Sequence, residues 1–297
     1  SEIWNLFEFA NPGLLGSYGQ FSERFILPIE KDRNRERQRL LKRLLSPFIL
    51  RRTKSEVLNE LPEKTEMTLR VSLSIEERAL YEQLREEASV SLETNQVGAI
   101  EALTYLTRLR QAACHPRLVN ARLALPSSKT KAFLDLSDEL QAGGHRALVF
   151  SQFTSHLSLI REALDEKGIR YLYLDGSHSA SQRKKLVEEF QQGTMPLFLI
   201  SLKAGGTGLN LTAADYVIHL DPWWNPAVED QASDRAYRIG QEQPVTIYRL
   251  IAENTIEEKI LRLHATKKSL ADALLDGSDM SGRLSRDEIL QLLSAEF

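Results

Sequence analysis

Residues 147–174 read Ala-Leu-Val-Phe-Ser-Gln-Phe-Thr-Ser-His-Leu-Ser-Leu-Ile-Arg-Glu-Ala-Leu-Asp-Glu-Lys-Gly-Ile-Arg-Tyr-Leu-Tyr-Leu. The first five residues, apolar except for the final Ser151, form a run of the kind found in buried strands, and a helix is expected to follow as far as Lys167. Gly168 closes that helix, and 170–174 form the next strand. The order of strand, helix and strand predicts two parallel strands joined by a crossover helix.

The same alternation continues to about residue 275. Ser179 and Gln182 form a capping box that predicts a helix ending near Gln192. Further strand-like runs lie at 197–201, 216–220 and 245–250. We therefore expect an α/β fold, a parallel sheet with helices on both faces, in which ligands bind at the carboxyl ends of the strands.

The first 125 residues are expected to be mostly helical. Helical apolar spacing is found at 40–45, 76–92 and 99–113. Residues 67–73 alternate as a short extended stretch, and Ser74 with Glu77 forms a capping box for the next helix. After residue 275 the sequence is loop-like until Ser285, which is predicted to open a short final helix.

Composition limits the possible classes of protein. The chain has 297 residues, 42 % of them hydrophobic and 27 % charged, which is ordinary for a globular protein of about two domains. No apolar run reaches the roughly 20 residues that span a bilayer, and the N-terminus does not resemble a signal peptide. A single cysteine, Cys114, fits a reducing, intracellular compartment, and the six histidines show no metal-ligand spacing, so no metal site is expected. The chain does not begin with methionine, so we expect it to be part of a longer protein.

Charge is unevenly distributed along the chain. The formal net charge is −3, yet residues 31–54 contain ten Lys or Arg and two acids. Such a segment is typical of a surface that faces a polyanion, and it is equally compatible with the solvated face of an amphipathic helix.

The segment 225–240 carries strong helix signals. Asn225 suits the N-cap, Pro226 the first helical position and Gly240 the C′ position. Acidic residues lie near the expected start and basic residues near the expected end, an order that favours helix stability by itself.

On that predicted helix, Gln231, Arg235 and Arg238 lie at i, i+4 and i+7 and therefore share one face. Two guanidiniums on one stripe can bind a phosphate or stabilise negative charge that develops on it. The chain contains no lysine-containing phosphate loop, so these arginines are predicted to act on a nucleotide that another segment holds.

Polar and glycine-rich segments follow several predicted strands. Lys203-Ala-Gly-Gly-Thr-Gly-Leu-Asn-Leu comes after 197–201, and its glycines permit close approach to a phosphate, although a tight turn explains them equally well. Ser151-Gln-Phe-Thr and Leu174-Asp-Gly-Ser offer donors to DNA phosphates or caps for the next helices. Trp223 is expected in the core, and Trp224 is a candidate for stacking on nucleic acid.

Taken in this order, these segments strongly resemble those of the Swi/Snf-type ATPases of helicase superfamily two. The resemblance covers almost the whole chain. It rests on Asn11-Pro-Gly-Leu-Leu-Gly, Pro47-Phe-Ile-Leu-Arg-Arg-Thr-Lys, Leu109-Arg-Gln-Ala-Ala-Cys-His-Pro, Ser151-Gln-Phe-Thr, Leu174-Asp-Gly-Ser, Ser201-Leu-Lys-Ala-Gly-Gly-Thr-Gly-Leu-Asn-Leu, Asp221-Pro-Trp-Trp-Asn-Pro and the run from Gln231 to Gln241.

The resemblance implies a motor of two RecA-like lobes, with ATP and magnesium in the cleft between them and double-stranded DNA across both. The phosphate loop and the Asp-Glu box of the first lobe are missing from this sequence, which then looks like the C-terminal half of the motor. It implies the tail of the first lobe in 1–60, a linker with a helical protrusion in 61–127, the second RecA-like lobe in 128–275 and a C-terminal brace in 276–297.

The resemblance also implies roles for single residues. Arg235 and Arg238 correspond to the arginine fingers, with Gln231 orienting in the same cleft. Gly205 and Gly208 would couple the cleft to the DNA track. The DNA contacts implied are Ser151, Gln152, Ser177, Lys203 and Trp224. Lys203 stands where many relatives have arginine, which argues against a bidentate phosphate contact there.

Two other functions are compatible with the sequence. One is an autonomous module that binds DNA or a partner without catalysis, which agrees with the missing first-lobe motifs. The other is a strand-separating helicase of the same superfamily. The leading hypothesis is the second-lobe half of a double-stranded DNA translocase that does not hydrolyse ATP alone and acts together with the first lobe, in the cytoplasm, nucleoid or nucleus.

Overall fold

The computed structural model describes residues 2–30, 34–48, 61–93, 99–205 and 208–264. These residues fall into two compact units, which we call the N-terminal unit (within 2–48) and the sheet unit (within 61–264). The predicted brace at 276–297 and part of the basic segment at 31–54 lie outside the described residues. No helix in the described ranges combines the length and apolarity needed to cross a membrane.

The N-terminal unit is helical, as expected. Its helices are α1 (Glu2–Ala10), α2 (Tyr18–Phe21), α3 (Leu27–Glu30) and α4 (Arg35–Leu45), with a π-helical turn at Ser22–Ile26 and a 3₁₀ turn at Ser46–Phe48. Asn34 caps α4 by accepting hydrogen bonds from the next turn, and Leu41 and Leu45 bury the apolar face of that helix. These leucines pack in a small core with Phe7, Phe21 and Phe25.

The sheet unit alternates strands and helices. Its elements are β1 (Lys64–Val71), α5 (Ile75–Glu93), α6 (Ala99–Cys114), α7 (Ser128–Ala142), β2 (Ala147–Ser151), α8 (Thr154–Glu166), β3 (Tyr171–Leu174), α9 (Ala180–Gln192), β4 (Leu197–Ser201), α10 (Leu202–Gly205), β5 (Tyr216–His219), α11 (Pro226–Ser233), β6 (Val245–Ala252) and α12 (256–264). The predicted capping boxes at Ser74 and Ser179 are both formed.

Within the described residues, six strands form one sheet in the order β1-β6-β5-β2-β4-β3, and every pairing is parallel. Strand side chains alternate between two apolar cores. Leu148 and Phe150 face a core that includes Phe190 of α9, whereas Val149 faces one that includes Phe133 of α7 and Ile160 of α8. The predicted α/β fold, with helices on both faces of a parallel sheet, is therefore confirmed.

A third core lies against the end of β6, under the helical pair α5–α6. Tyr81, Leu84, Leu106 and Leu109 pack there with Ile256 of α12. The extended stretch near residue 67 becomes β1, which pairs in parallel with β6 from Lys64↔Val245 to Val71↔Ala252. The segment before the α/β alternation therefore contributes the edge strand of the same sheet.

Candidate functional site

The helix that leads to the candidate arginines begins as predicted and ends earlier. Asn225 accepts a hydrogen bond from the amide of Ala227, and Pro226 occupies the first turn. α11 ends at Ser233, so the prediction of a helix as far as Gly240 is wrong.

The reason lies in tertiary hydrogen bonds. The carbonyl of Arg235 accepts from the amide of Leu211, which lies 3.0 Å away in the segment after β4. The side-chain amide of Gln241 donates to the carbonyls of Ala214 and Ala236, at 2.8 Å and 3.1 Å. These contacts hold 234–240 in turns against the sheet. Gln231 lies on α11 and is exposed, so the prediction that it shares a helical face with Arg235 and Arg238 is also wrong.

The two arginines nevertheless lie close enough within this segment for their charges to repel each other. Arg235 is 7 % exposed, and its Nε atom has no hydrogen-bond partner among the described residues. Burial lowers the pKa of Arg235, and the charge of Arg238 lowers it further. Arg238 is half-buried and donates through Nη1 to the carbonyl of Leu209, 3.2 Å away. The neighbouring Asp234 carboxylate offsets these two effects only in part, so the buried guanidinium is costly unless a bound anion completes the site.

The glycine-rich segment after β4 lies beside these arginines. It begins with the short helix α10, which contains the exposed Lys203 and ends at Gly205. Gly208 has φ of +51°, in the left-handed region that favours glycine. With Asn210 and basic residues of α9, among them Arg183 and Lys184, Gly208 lines an open cleft of about 560 Å³.

The structure places the other candidate residues at the carboxyl ends of neighbouring strands. Ser151 ends β2, Lys203 follows β4, Ser177 follows β3 and Trp224 follows β5. Because β5, β2, β4 and β3 are adjacent in that order, the four positions form a row along one edge of the sheet.

The members of this row differ in their exposure. The hydroxyl of Ser151 is buried and donates to Oδ1 of Asp221, and the amide of Gln152 donates to Oδ2 of the same carboxylate at 3.2 Å. Ser177 is exposed, and Asp175 accepts from its amide at 2.9 Å and from its hydroxyl at 2.6 Å. Hydrogen bonds from Ser177 hold the pKa of the Asp175 carboxyl well below its usual range. Only Ser177 and Lys203 in this row therefore offer freely accessible side chains.

Trp224 is half-buried against the α5–α6 pair. The guanidinium of Arg110 lies 4.5 Å from the Trp224 ring centroid, and the same guanidinium lies 5.3 Å from that of Trp223. Trp223 packs against the core of the sheet, as predicted. Sequence reasoning did not single out Arg110, whose partners lie about 110 positions further along the chain.

A buried polar network lies beneath this edge. Lys129 donates to Glu257 at 2.6 Å and to the carbonyl of Leu220 at 2.8 Å. Cys114, His156 and Asp221 each place one potential donor atom within 4.8 Å of the other two. Both oxygens of Asp221 already accept hydrogen bonds, and the Lys129 ammonium supplies positive charge next to the group. The arrangement fits a hydrogen-bonded network better than a divalent metal centre.

Comparisons with known proteins agree with this architecture. Residues 1–118 match the model of the SNF2-related domain, and residues 128–240 match that of the helicase conserved C-terminal domain. YwqA of Bacillus subtilis (strain 168) is 42 % identical over 99 % of this chain and 33 % of its own length. Its name assigns YwqA provisionally to the ATP-dependent helicases/translocases. The chain spans between 28 % and 33 % of the length of YwqA and of two Mycoplasma relatives that it also matches.

Solved structures give the same result. The Sulfolobus solfataricus SWI2/SNF2 ATPase core in complex with double-stranded DNA is 35 % identical, with a TM-score of 0.62, over 90 % of this chain and 58 % of that one. The C-terminal domain of the Sulfolobus solfataricus SWI2/SNF2 ATPase is 28 % identical, with a TM-score of 0.63, over 79 % of this chain and all of that one. The chain therefore belongs to the SWI2/SNF2 family and carries its SNF2-related and helicase C-terminal domains.

Proposed function

We propose that this chain is the second-lobe half of an ATP-dependent, double-stranded DNA translocase. In this proposal Arg235 and Arg238 are arginine fingers that contact the γ-phosphate of a Mg–ATP complex held mainly by the first RecA-like lobe. Hydrolysis then requires both lobes, and the isolated chain is inactive.

The observation that carries the proposal is the buried guanidinium of Arg235. Its Nε atom has no partner among the described residues, and the repulsion from the second cation, Arg238, outweighs the attraction of the Asp234 carboxylate. Such a pair is destabilising by itself, and an anion with several negative oxygens would offset that cost. A γ-phosphate in its transition state is such an anion, and an arginine finger accelerates its transfer by about 10³- to 10⁵-fold.

A separate nucleotide-holding lobe is supported by the sequence and by the relatives. The chain contains no phosphate loop, and it accounts for 58 % of the SWI2/SNF2 ATPase core that was solved with DNA. Gly205 and Gly208 lie in the segment that contacts the arginine loop through Leu209 and Leu211. We propose that this segment couples the nucleotide cleft to the DNA track. We also propose that the Gln231 side chain is oriented toward the same nucleotide cleft.

Double-stranded DNA is the proposed track, on the carboxyl edge of the sheet. Lys203 and Ser177 are the exposed side chains of that edge and would contact phosphates directly. Ser151 and Gln152 are tied to Asp221, and Trp224 is stacked on Arg110, so these three would shape the surface beneath the backbone. A DNA-dependent activity implies an intracellular location in the cytoplasm, nucleoid or nucleus.

The test is DNA-stimulated ATP hydrolysis by the full-length protein. Arg238→Ala and Arg235→Ala should abolish turnover, because the transition-state charge loses its stabilisation, while ATP binding largely survives. Arg161→Ala is the matched control, because Arg161 of α8 contacts Tyr171 and Tyr173 of β3 and is not part of the segment 234–240 that carries the two candidate arginines.

Two results would contradict the proposal. One is normal turnover in Arg238→Ala. The other is appreciable DNA-stimulated hydrolysis by the isolated chain. If both arginine variants hydrolyse ATP normally and Lys203→Ala still loses DNA binding, the chain acts as a DNA-binding module without a catalytic role. Separation of strands on forked DNA would indicate a helicase instead of a duplex translocase.

A further inference from the structure

Arg110 of α6 is inserted into the loop between β5 and α11. Its side chain is buried, and Nη2 donates to the carbonyl of Pro222 at 2.7 Å. The guanidinium carbon lies 4.5 Å from the ring centroid of Trp224, 5.3 Å from that of Trp223 and 5.4 Å from that of Phe153. One guanidinium therefore contacts three aromatic rings and a backbone carbonyl from two different strand ends.

The loop that Arg110 holds leads directly into the helix before the arginine segment. The amide of Trp223 donates to Oε1 of Glu229 at 2.7 Å, and Glu229 lies in the first turn of α11. Glu229 is buried and also accepts from Arg249 of β6 at 2.9 Å. A displacement of the tryptophan pair would therefore be transmitted to the start of α11, and α11 delivers Arg235 and Arg238.

The contact is specific to the shape of a guanidinium. Nη2 of Arg110 lies 4.0 Å from the Asp221 carboxylate, and its Nε has no hydrogen-bond partner among the described residues. Charge pairing at that distance is weaker than a hydrogen-bonded ion pair, so the planar stacking contributes much of the binding. A lysine ammonium is a point charge that cannot stack on a ring while it donates to a carbonyl in the same plane.

We propose that Arg110 is a positioning residue that fixes the Trp223–Trp224 pair and thereby sets the placement of the arginine fingers relative to the nucleotide. The α5–α6 helical pair is then part of the catalytic support, and the Arg110 side chain connects it to the reaction. This inference rests on the proposed function, because it assumes that Arg235 and Arg238 act on a phosphate.

The experiment compares Arg110→Lys and Arg110→Met with the control Arg108→Lys in the full-length protein. Arg108 lies on the same helix, is 42 % exposed and is 3.6 Å from Glu87, outside the loop contact. Turnover, the KM for ATP and the affinity for duplex DNA are measured for each. We expect Arg110→Lys to lower kcat by about tenfold or more, since small displacements of a catalytic group are costly. The KM for ATP should stay within about twofold, because no contact to the nucleotide is removed, and kcat is compared at saturating DNA.

Tryptophan emission gives a second reading that does not need ATPase activity. It is measured in a Trp4→Phe background of the 297-residue chain, so that Trp223 and Trp224 are the remaining tryptophans of that chain. Both Arg110 variants should shift the emission, and Arg108→Lys should not. The melting temperatures of the Arg110 and Arg108 variants of the full-length protein identify any variant that is unfolded at the assay temperature.

The two readings separate failure of this inference from failure of the proposed function. A shifted emission with kcat close to that of the wild type overturns the positioning role. Unshifted emission overturns the contact itself. A fall in kcat that is accompanied by a matching rise in the KM for ATP also overturns the positioning role, since the two changes together indicate general damage. If the wild-type protein hydrolyses no ATP, the proposed function fails, and the emission shift then decides whether Arg110 fixes the tryptophan pair.

Discussion

The Lys129 ammonium lies 2.6 Å from the Glu257 carboxylate, and the side chains of both residues are 1 % exposed. Burial by itself disfavours the charge on Lys129, but the neighbouring acidic groups, above all the Glu257 carboxylate, together more than offset this effect and raise the pKa of Lys129 above its ordinary value. Glu257 also accepts from the amide of Ala252 at the end of β6. The pair therefore joins α7 to α12 at the end of the sheet.

Removing one member of this pair should be strongly destabilising. Lys129→Met leaves the Glu257 carboxyl, whose pKa burial already raises, without its buried counter-ion, which costs about 3–5 kcal/mol of unfolding free energy. The measurement is urea unfolding followed by tryptophan fluorescence. Lys129→Met combined with Glu257→Leu is the control, because it removes both charges and should recover much of the loss. If the double variant is as unstable as the sum of the two single variants, the ion pair is not the source of the effect.

Stability should fall as the pH drops below neutrality, in part because of His219. Burial lowers the pKa of His219 to about 4, whereas an unfolded histidine has a pKa of about 6.5. Between these two pH values, His219 is therefore protonated in the unfolded chain and neutral in the folded chain. Stability from this group is complete above the unfolded pKa and is lost as the pH falls toward the folded pKa. The loss between pH 7 and pH 5 should be about 2 kcal/mol.

Two variants isolate this effect. His219→Gln should reduce the difference in unfolding free energy between the two pH values by that amount. Ser233→Ala removes the hydroxyl that lies 2.9 Å from Nε2 of His219 but keeps the imidazole, so it should lower stability about equally at both pH values. His115, whose pKa burial also lowers to about 4, should supply part of the dependence that persists in His219→Gln. A pH dependence unaltered in His219→Gln would exclude His219 as a source.

Lys203 should contribute to DNA affinity through phosphate charge alone. Lys203→Ala in the full-length protein should weaken binding by a similar factor on different duplex sequences. It should also reduce the slope of log K against log salt by about 0.9, the value for one released counterion. The control is Lys167→Ala. Lys167 directly follows α8, a helix that runs back toward the amino ends of the strands, and it pairs with Asp138 of α7. Anisotropy titrations at several salt concentrations measure both slopes, and an unchanged slope for Lys203→Ala would remove it from the DNA contacts.

Much of the fold follows from local patterns in the sequence. The apolar runs at Ala147–Ser151 and Leu197–Ser201 are buried on both faces of a parallel sheet, which is why they lack polar alternation. The capping boxes at Ser74 and Ser179 form because their partners lie three residues away. Signals whose physical cause lies within one turn or one strand were therefore reliable.

The errors occur where the cause lies far away in the chain. Gly240 does adopt a positive φ, yet α11 ends seven residues earlier, at Ser233. The helix ends there because the amide of Leu211 and the side chain of Gln241 donate hydrogen bonds to backbone carbonyls. The hydroxyl of Ser151 was expected to face DNA and instead donates to Asp221, which is 70 positions distant. The contacts of Arg110 with Pro222, and the Lys129–Glu257 pair, connect elements more than 100 residues apart and leave no periodic signal.

Arg235 should be a residue that lowers stability in return for function. Its guanidinium is buried beside a second cation, and its Nε has no partner among the described residues, so Arg235→Met should raise the unfolding free energy by about 1 kcal/mol. The same change in the full-length protein should abolish ATP hydrolysis. Arg161→Met is the control, because Arg161 stacks 4.5 Å from the Tyr173 ring and its loss should not be stabilising. If Arg235→Met is less stable than the wild type, the Arg235 side chain serves the fold. If the same variant also hydrolyses ATP at the normal rate, catalysis does not explain why the charge is buried.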